Sequence, residues 1–163
     1  MAKTDRVSQF EFDSIQQIIA SQAKNNPFKC AISAPGRLPL SYAQLQALIE
    51  DNLAILNGMG FSHGDRVAIV LSSGPEMATA FLTVAAGATA APLNSAYQAP
   101  EFEFYLADLK AKALLIQVGM DSPARLVAAQ LAIPIIELIV RSNSSKSSGL
   151  KSLLWSCPYA TVV

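Results

Sequence analysis

The sequence has no excess of either charge. Twelve Lys and Arg balance twelve Asp and Glu, so no long-range field draws the chain to nucleic acid or to an anionic membrane. Histidine is almost missing: His63 stands alone, which excludes a metal centre built from several imidazoles. Cysteine is scarce, and Cys30 and Cys157 match neither a zinc spacing nor a disulfide framework. A reducing, cytoplasmic compartment is the expectation. Long apolar runs are absent as well. The opening MAKTDRVSQFEFD carries charge where a signal peptide needs an apolar core. No stretch reaches the roughly 18 apolar residues of a membrane span. The run AIPIIELIV is short, and Pro134 and Glu137 interrupt it. Neither nucleic acid nor membrane is expected as a partner.

What is present is a core. Of 163 residues, 52% are apolar and 15% charged, enough to fill the interior of one domain or of a large part of one. The apolar spacing predicts a helix over residues 12–24, with Phe12, Ile15, Ile18 and Ile19 on one face. FKCAISA reads as a strand, with Cys30 a small buried hydrophobe. The turn Pro35 to Arg37 leads into LPL and predicts a hairpin. Ser41 and Gln44 form a capping box at the start of the next helix, whose stripe is Leu45, Leu48, Ile49, Leu53 and Leu56. Gly58 and Gly60 supply its left-handed stop.

RVAIVL, bounded by turn signals, fits a strand buried on both faces. In SSGPE, Ser73 is expected to cap a helix and Glu76 to reach back to the cap, with Met77, Phe81, Val84 and Ala85 on its inner face. TAAPL is the next strand. A helix follows from Pro100 and Glu101, with Phe102, Tyr105, Leu106 and Leu109 as its stripe. ALLIQV is a strand, DSPARLVAAQL a helix with Pro123 in its first turn, and IPIIELIV the last strand. This alternation from Arg66 onward predicts an α/β fold: a mostly parallel sheet with right-handed crossovers and helices on both faces. Ligands of such sheets sit beyond the carboxyl ends of the strands. After Arg141, RSNSSKSSGLKS is serine-dense and reads as a linker, and LLWSCPYATVV belongs to no clear element. The expected division is therefore an α/β unit over 1–140 and a linker with an atypical tail over 141–163.

The series GDRVAIVLSSGPEMATAFLTVAAGATAAPLNSAYQAPEFEFYLAD resembles the early part of the AMP-forming acyl-CoA synthetases, the adenylate-forming ligases. The features that carry the resemblance are Gly64 to Val67, Pro75-Glu76, Gly87 to Asn94 and Tyr97, with LSYAQL (Leu40 to Leu45) as a first core motif. ATAAPLNSAYQAPEFEFYLAD is most similar to the oxalate–CoA ligase and peroxisomal CoA synthetase branch. The resemblance runs from about Phe10 to about Val140, a long ordered series whose single pieces would not convince alone. It implies a partial N-terminal domain of the adenylate-forming ligase fold. For a full-length parent it implies ATP, Mg²⁺ and coenzyme A, a carboxylic-acid substrate, and a peroxisomal location as an alternative to the cytoplasm.

The resemblance also implies what is missing. In that family a Ser/Thr-Gly-rich loop ending in Pro-Lys, a Tyr-Gly-x-Thr-Glu segment, a ribose-binding aspartate and a lid lysine all lie downstream. No catalytic, cofactor-binding or metal-binding residue is therefore assigned, and no cofactor is expected on this chain itself. The expectation is a catalytically silent N-terminal portion, shortened by design, by its gene or by a shifted reading frame. A non-catalytic interaction module is the alternative, with an open sheet edge and exposed apolar faces available for self-association or a partner.

Several decoys carry a plainer reading. SSKSSGLK (Ser144 to Lys151) echoes a phosphate loop, but Lys146 replaces a glycine and no proline precedes Lys151. His63 reads as a turn residue beside Asp65. SSGPE could hold an anion at a helix start, but a capping box accounts for it. Glu101, Glu103 and Asp108 read as solvated charge rather than an acid–base pair. Asn94 and Tyr97 stand at a strand's carboxyl end, where a ligand could sit, yet read as a turn amide and a packed aromatic.

Overall fold

The computed structural model describes residues 14–140 and 153–156. Phe12, Cys157 and the serine-rich stretch with Lys146 and Lys151 lie outside them.

The first helix, α1 (Ile15–Asn25), begins at Ser14, whose hydroxyl accepts from the Gln17 N–H at 3.2 Å. Only part of its expected stripe is inside. Ile19 is buried, while Ile18 is 44% exposed: the helix meets its neighbours along a seam narrower than the sequence spacing implies. β1 (Cys30–Ile32) and β2 (Leu40–Ser41) form the expected antiparallel hairpin. Between them the Arg37 N–H donates to the Ala34 carbonyl at 3.2 Å, and Gly36 takes φ +70, a turn conformation that a side chain would strain. Cys30 is exposed, not buried. A two-stranded ribbon cannot enclose both of its faces.

α2 (Tyr42–Gly58) carries the expected capping box. Ser41 Oγ accepts from the Gln44 N–H at 3.3 Å, and Gln44 Oε1 accepts from the Ser41 N–H at 2.9 Å. Its end turns on Gly60, at φ +79, with the Phe61 N–H reaching the Leu56 carbonyl at 3.1 Å. Gly58 is the last helical residue and takes no left-handed turn.

The main sheet is built from β3 (Arg66–Val70), β4 (Thr89–Pro92), β5 (Ala113–Gln117), β6 (Ile135–Val140) and β7 (Leu153–Ser156), in the order β4-β3-β5-β6-β7. The first four are parallel, as the βα alternation requires. β7 runs antiparallel to β6, so the segment after Arg141 contributes an edge strand that its composition did not signal.

Strand pleating divides the core in two. Val67, Ile69, Leu115 and Leu138 pack with Leu48 and Leu56 of α2 and with Ala80 and Val84 of α3 (Pro75–Gly87). Ala68, Val70, Leu114 and Ile116 face the other way. They meet Phe102 and Leu106 of α4 (Ala99–Asp108) and Val127 and Ala128 of α5 (Pro123–Gln130). The sheet is thus covered on both faces, which is why β3 and β5 read as unbroken apolar runs.

α3 departs from its expected start and stripe. Its N-cap is Gly74, no side chain caps it, and Ser73 is exposed. Its fully buried residues are Thr79, Ala80, Thr83 and Val84, with Ala86 at 5%, while Phe81 and Ala85 are only half-buried. The helix packs on the sheet, on α1 and on α2, and small side chains let it approach all three. Its last residue, Gly87, lies so close to α2 that a Cβ there would stand 2.4 Å from Leu53 Cδ2.

Candidate functional site

In a parallel sheet the polar concavity forms where neighbouring strands connect in opposite directions. β3 leads through α3 to β4 on one side, and β5 leads through α5 to β6 on the other. The crevice therefore opens at the carboxyl ends of β3 and β5. Residues 71–74, 93–98 and 118–122 are the loops around this end.

Just past the loop after β3, the first turn of α3 holds one member of a pair that the sequence reading missed. Glu76, at 13% exposure, forms an ion pair through Oε1 with Arg37 of the hairpin turn. Its Oε2 stands 3.4 Å from where a Cβ of Gly74 would be. The carboxylate thus lies beside the first turn of α3, where the helix dipole favours an anion. This corrects the capping-box account of SSGPE: the helix start has no side-chain cap, and the chain's own anion stands beside it.

The loop after β4 uses its polar groups internally. Asn94 Oδ1 accepts from the Ala96 N–H at 3.0 Å. Tyr97 stacks on Tyr105 of α4, with ring centroids 5.2 Å apart and planes 12° apart, and meets Phe102 edge-on at 5.8 Å. Hydrogen bonding to the Tyr105 hydroxyl, then burial, holds the Tyr97 phenol above its usual range. Both residues thus take the turn and packing roles read from the sequence. Glu101 does more than carry charge, since its Oε2 accepts from the Gln98 N–H at 2.8 Å at the start of α4. Glu103 and Asp108 are exposed.

The loop after β5 is pinned by Arg125. Its guanidinium donates to the carbonyls of Met120 at 3.0 Å and Gln117 at 2.8 Å, and to Glu137 Oε1 at 2.8 Å. This explains the carboxylate in the apolar run IIELIV: Glu137 faces the α5 side of β6 and meets a cation there. A charge inside an apolar strand was the available signal, because such a group needs a partner.

Elsewhere the polar residues gather at the opposite end of the sheet. His63 sits in the turn before β3, is exposed, and accepts through its carbonyl from Thr89 Oγ1 at 3.2 Å. Asp65 and Lys112 pair beside it, before β3 and β5. An open apolar hollow of about 340 Å³, lined by Ala129, Ala132, Ile133, Pro134 and Ile135, lies where α5 turns into β6. No group of three or more His, Cys, Asp or Glu among the described residues could hold a metal ion. No helix there is long and apolar enough to cross a membrane.

Comparison with known proteins agrees with this frame. The family model described as AMP-binding enzyme matches residues 19–154, so the match runs past Val140 into the serine-rich stretch. The oxalate–CoA ligase of Arabidopsis thaliana is 39% identical over 123 residues, which is 74% of this chain and 24% of that protein. The indoleacetate–CoA ligase of Aromatoleum aromaticum is 36% identical over 104 residues, 63% of this chain and 20% of that protein. Among solved structures, a fatty acyl-CoA synthetase of Mycobacterium tuberculosis superposes with a TM-score of 0.62 at 25% identity, covering 83% of this chain and 26% of that one. The chain therefore spans about a quarter or less of the length of these relatives.

Proposed function

This chain belongs to the AMP-binding enzyme family, and from that membership we propose that it forms the N-terminal scaffold of an AMP-forming acid–CoA ligase. The family match over residues 19–154 carries the reading, because it takes in the whole doubly covered sheet from β3 to β6. In the proposed reaction of the complete ligase, a carboxylate oxygen attacks the α-phosphorus of ATP. The bond to pyrophosphate breaks and an acyl-adenylate forms. The thiol of coenzyme A then attacks the acyl carbon, and AMP departs. Oxalate is the first acid to test, given the oxalate–CoA ligase relative.

The described residues do not fit Mg²⁺ or a triphosphate. They hold no cluster of metal ligands, and the start of α3 faces the Glu76 carboxylate, which would repel a phosphate. No chemical step is assigned to this segment. Its proposed role is rigid support, with the reactive groups supplied from outside it. A cytoplasmic location fits this reading, and a peroxisomal one belongs with a complete ligase.

Two experiments test the reading. The chain alone, mixed with ATP, Mg²⁺ and oxalate, should show no thermal stabilisation and release no pyrophosphate. Stabilisation with turnover would overturn the silent role. A chimera in which this chain replaces the matching quarter of the Arabidopsis oxalate–CoA ligase should retain ATP-dependent thioester formation. A folded chimera that cannot adenylate would overturn the scaffold role.

A second reading, an interaction module, is favoured by Phe104 and Leu126. These are 64% and 73% exposed on the neighbouring helices α4 and α5, and apolar side chains left in water favour association. Sedimentation against concentration tests it, and a clean monomer throughout counts against it.

A further inference from the structure

Among the described residues β4 is the last strand of its sheet, and its backbone shows how that edge is finished. In a parallel strand, each residue turns its N–H and C=O to the same side, and successive residues alternate. The Thr89 N–H donates to the Asp65 carbonyl at 2.8 Å, and the Leu93 N–H to the Ile69 carbonyl at 2.9 Å. The register pairs Arg66 with Thr89 and Ala68 with Ala91. Residues 89, 91 and 93 therefore face β3, and Ala90 and Pro92 face away from the sheet. A free edge of this length would offer two outward N–H donors, at 90 and 92. Proline has none, so the edge keeps only the one at Ala90.

The rest of β4 is otherwise a good template for another strand. Thr89, Ala90 and Ala91 are small and uncharged, and the strand carries no Lys, bulge or bulky side chain to deter pairing. Pro92 is exposed, so its ring stands where an incoming strand would seek its second rung. We infer that Pro92 closes this edge against strand addition, and that the strand it excludes is β4 of a second copy of the chain. This goes beyond the scaffold reading and holds whether or not the complete ligase has the proposed activity. It also narrows the expectation of an open edge, leaving the helical faces as the surfaces for association.

The test restores the missing donor. In the full chain, Pro92→Ala should shift the sedimenting mass toward that of a dimer as concentration rises, relative to the unaltered protein. The amide introduced at position 92 should gain protection from hydrogen exchange over the same range. The double variant Ala90→Pro with Pro92→Ala moves the block by one pleat and should sediment as the unaltered chain does. Melting curves check that each variant is folded, and Pro92→Thr, with a better strand former, replaces Pro92→Ala if that variant is not. A folded Pro92 variant that sediments as the unaltered protein, with a freely exchanging amide at 92, overturns the inference. So does a folded double variant that associates as strongly as Pro92→Ala.

Discussion

Lys112 Nζ lies 2.7 Å from Asp65 Oδ2, joining the turn before β3 to the turn before β5. The same ammonium donates to the Gly60 carbonyl at 2.7 Å and sits 5.0 Å above the Phe61 ring. Asp65 Oδ2 also accepts from the Ser62 N–H at 2.8 Å and the Ser62 hydroxyl at 3.0 Å. Next to it, Arg66 donates to the Leu109 carbonyl at 2.6 Å. The Gly-Asp-Arg-Val turn thus has a physical reason: its two charges fasten two adjacent parallel strands at their amino ends, away from the crevice.

This network predicts a response to acid. The hydrogen bond from Lys112, then that from the Ser62 N–H, holds the Asp65 carboxyl below its ordinary value of 3.8. A depressed folded-state pKa gives stability that is present above the unfolded value and is lost as pH falls through the folded one. The melting temperature should therefore drop as pH falls below about 4, and Asp65→Asn should show a shallower drop. Added salt should weaken the difference, since Lys112 is 42% exposed and the pair is screened. Equal slopes for both proteins between about pH 2 and 4 would remove Asp65 from the account.

The two serines read as helix caps should part company under mutation. Ser41 closes a complete capping box, whereas Ser73 is exposed and caps nothing. Ser41→Ala should cost about 1 kcal/mol in urea denaturation. Ser73→Ala should stay within about 0.5 kcal/mol of the unaltered protein. A cost at Ser73 comparable to that at Ser41 would mean that α3 starts differently.

The inner face of α3 makes a third prediction. Ala80 is fully buried between the sheet and α2, while Ala78, on the same helix, is exposed. Enlarging Ala80 to leucine should cost about 1–3 kcal/mol by overpacking, and Ala78→Leu should change little. If calorimetry finds the two equal, the helix does not lie tight on the sheet.

The sheet was legible in the sequence because the signals for it are local. VAIV and ALLI are apolar without alternation, as strands covered on both sides must be, and Ser41 with Gln44 is a complete start signal within four residues. The misses depend on distant partners. Met77, Phe81 and Ala85 were expected inside alongside Val84, and of the four only Val84 is fully buried: α3 must fit beside the sheet, α1 and α2 together, so Thr79, Ala80 and Thr83 share the tightest places with it. Cys30 looked buried within its own strand, and only the pairing with a two-residue β2 shows that nothing covers it. Glu76 looked like a cap within SSGPE because its true partner, Arg37, lies 39 residues away. At the crevice, Asn94 and Tyr97 were readable since each uses a neighbour in its own turn or the next helix. Arg125 was not, because its three acceptors come from β5, the following loop and β6.

Arg125 is the remaining test of how the crevice is held. Its side chain is 27% exposed and that of Glu137 23%, so the pair is sheltered without being sealed from water. Charge-assisted bonds to carbonyls contribute about 1.5–3 kcal/mol when well buried. Partial exposure brings the expected cost of Arg125→Met to about 1–2 kcal/mol. Arg125→Lys should recover little, because a single ammonium cannot span the Gln117 and Met120 carbonyls and Glu137 as a planar fork does. Glu137→Gln keeps an acceptor for the fork and should cost less than Arg125→Met. Hydrogen exchange adds the local readout: amides of residues 118–122 should open faster in Arg125→Met, while those of β3 keep their protection. Uniform loss of protection across the sheet would assign Arg125 to global stability, and the loop after β5 would then owe its shape to Ser122 and Pro123 at the start of α5.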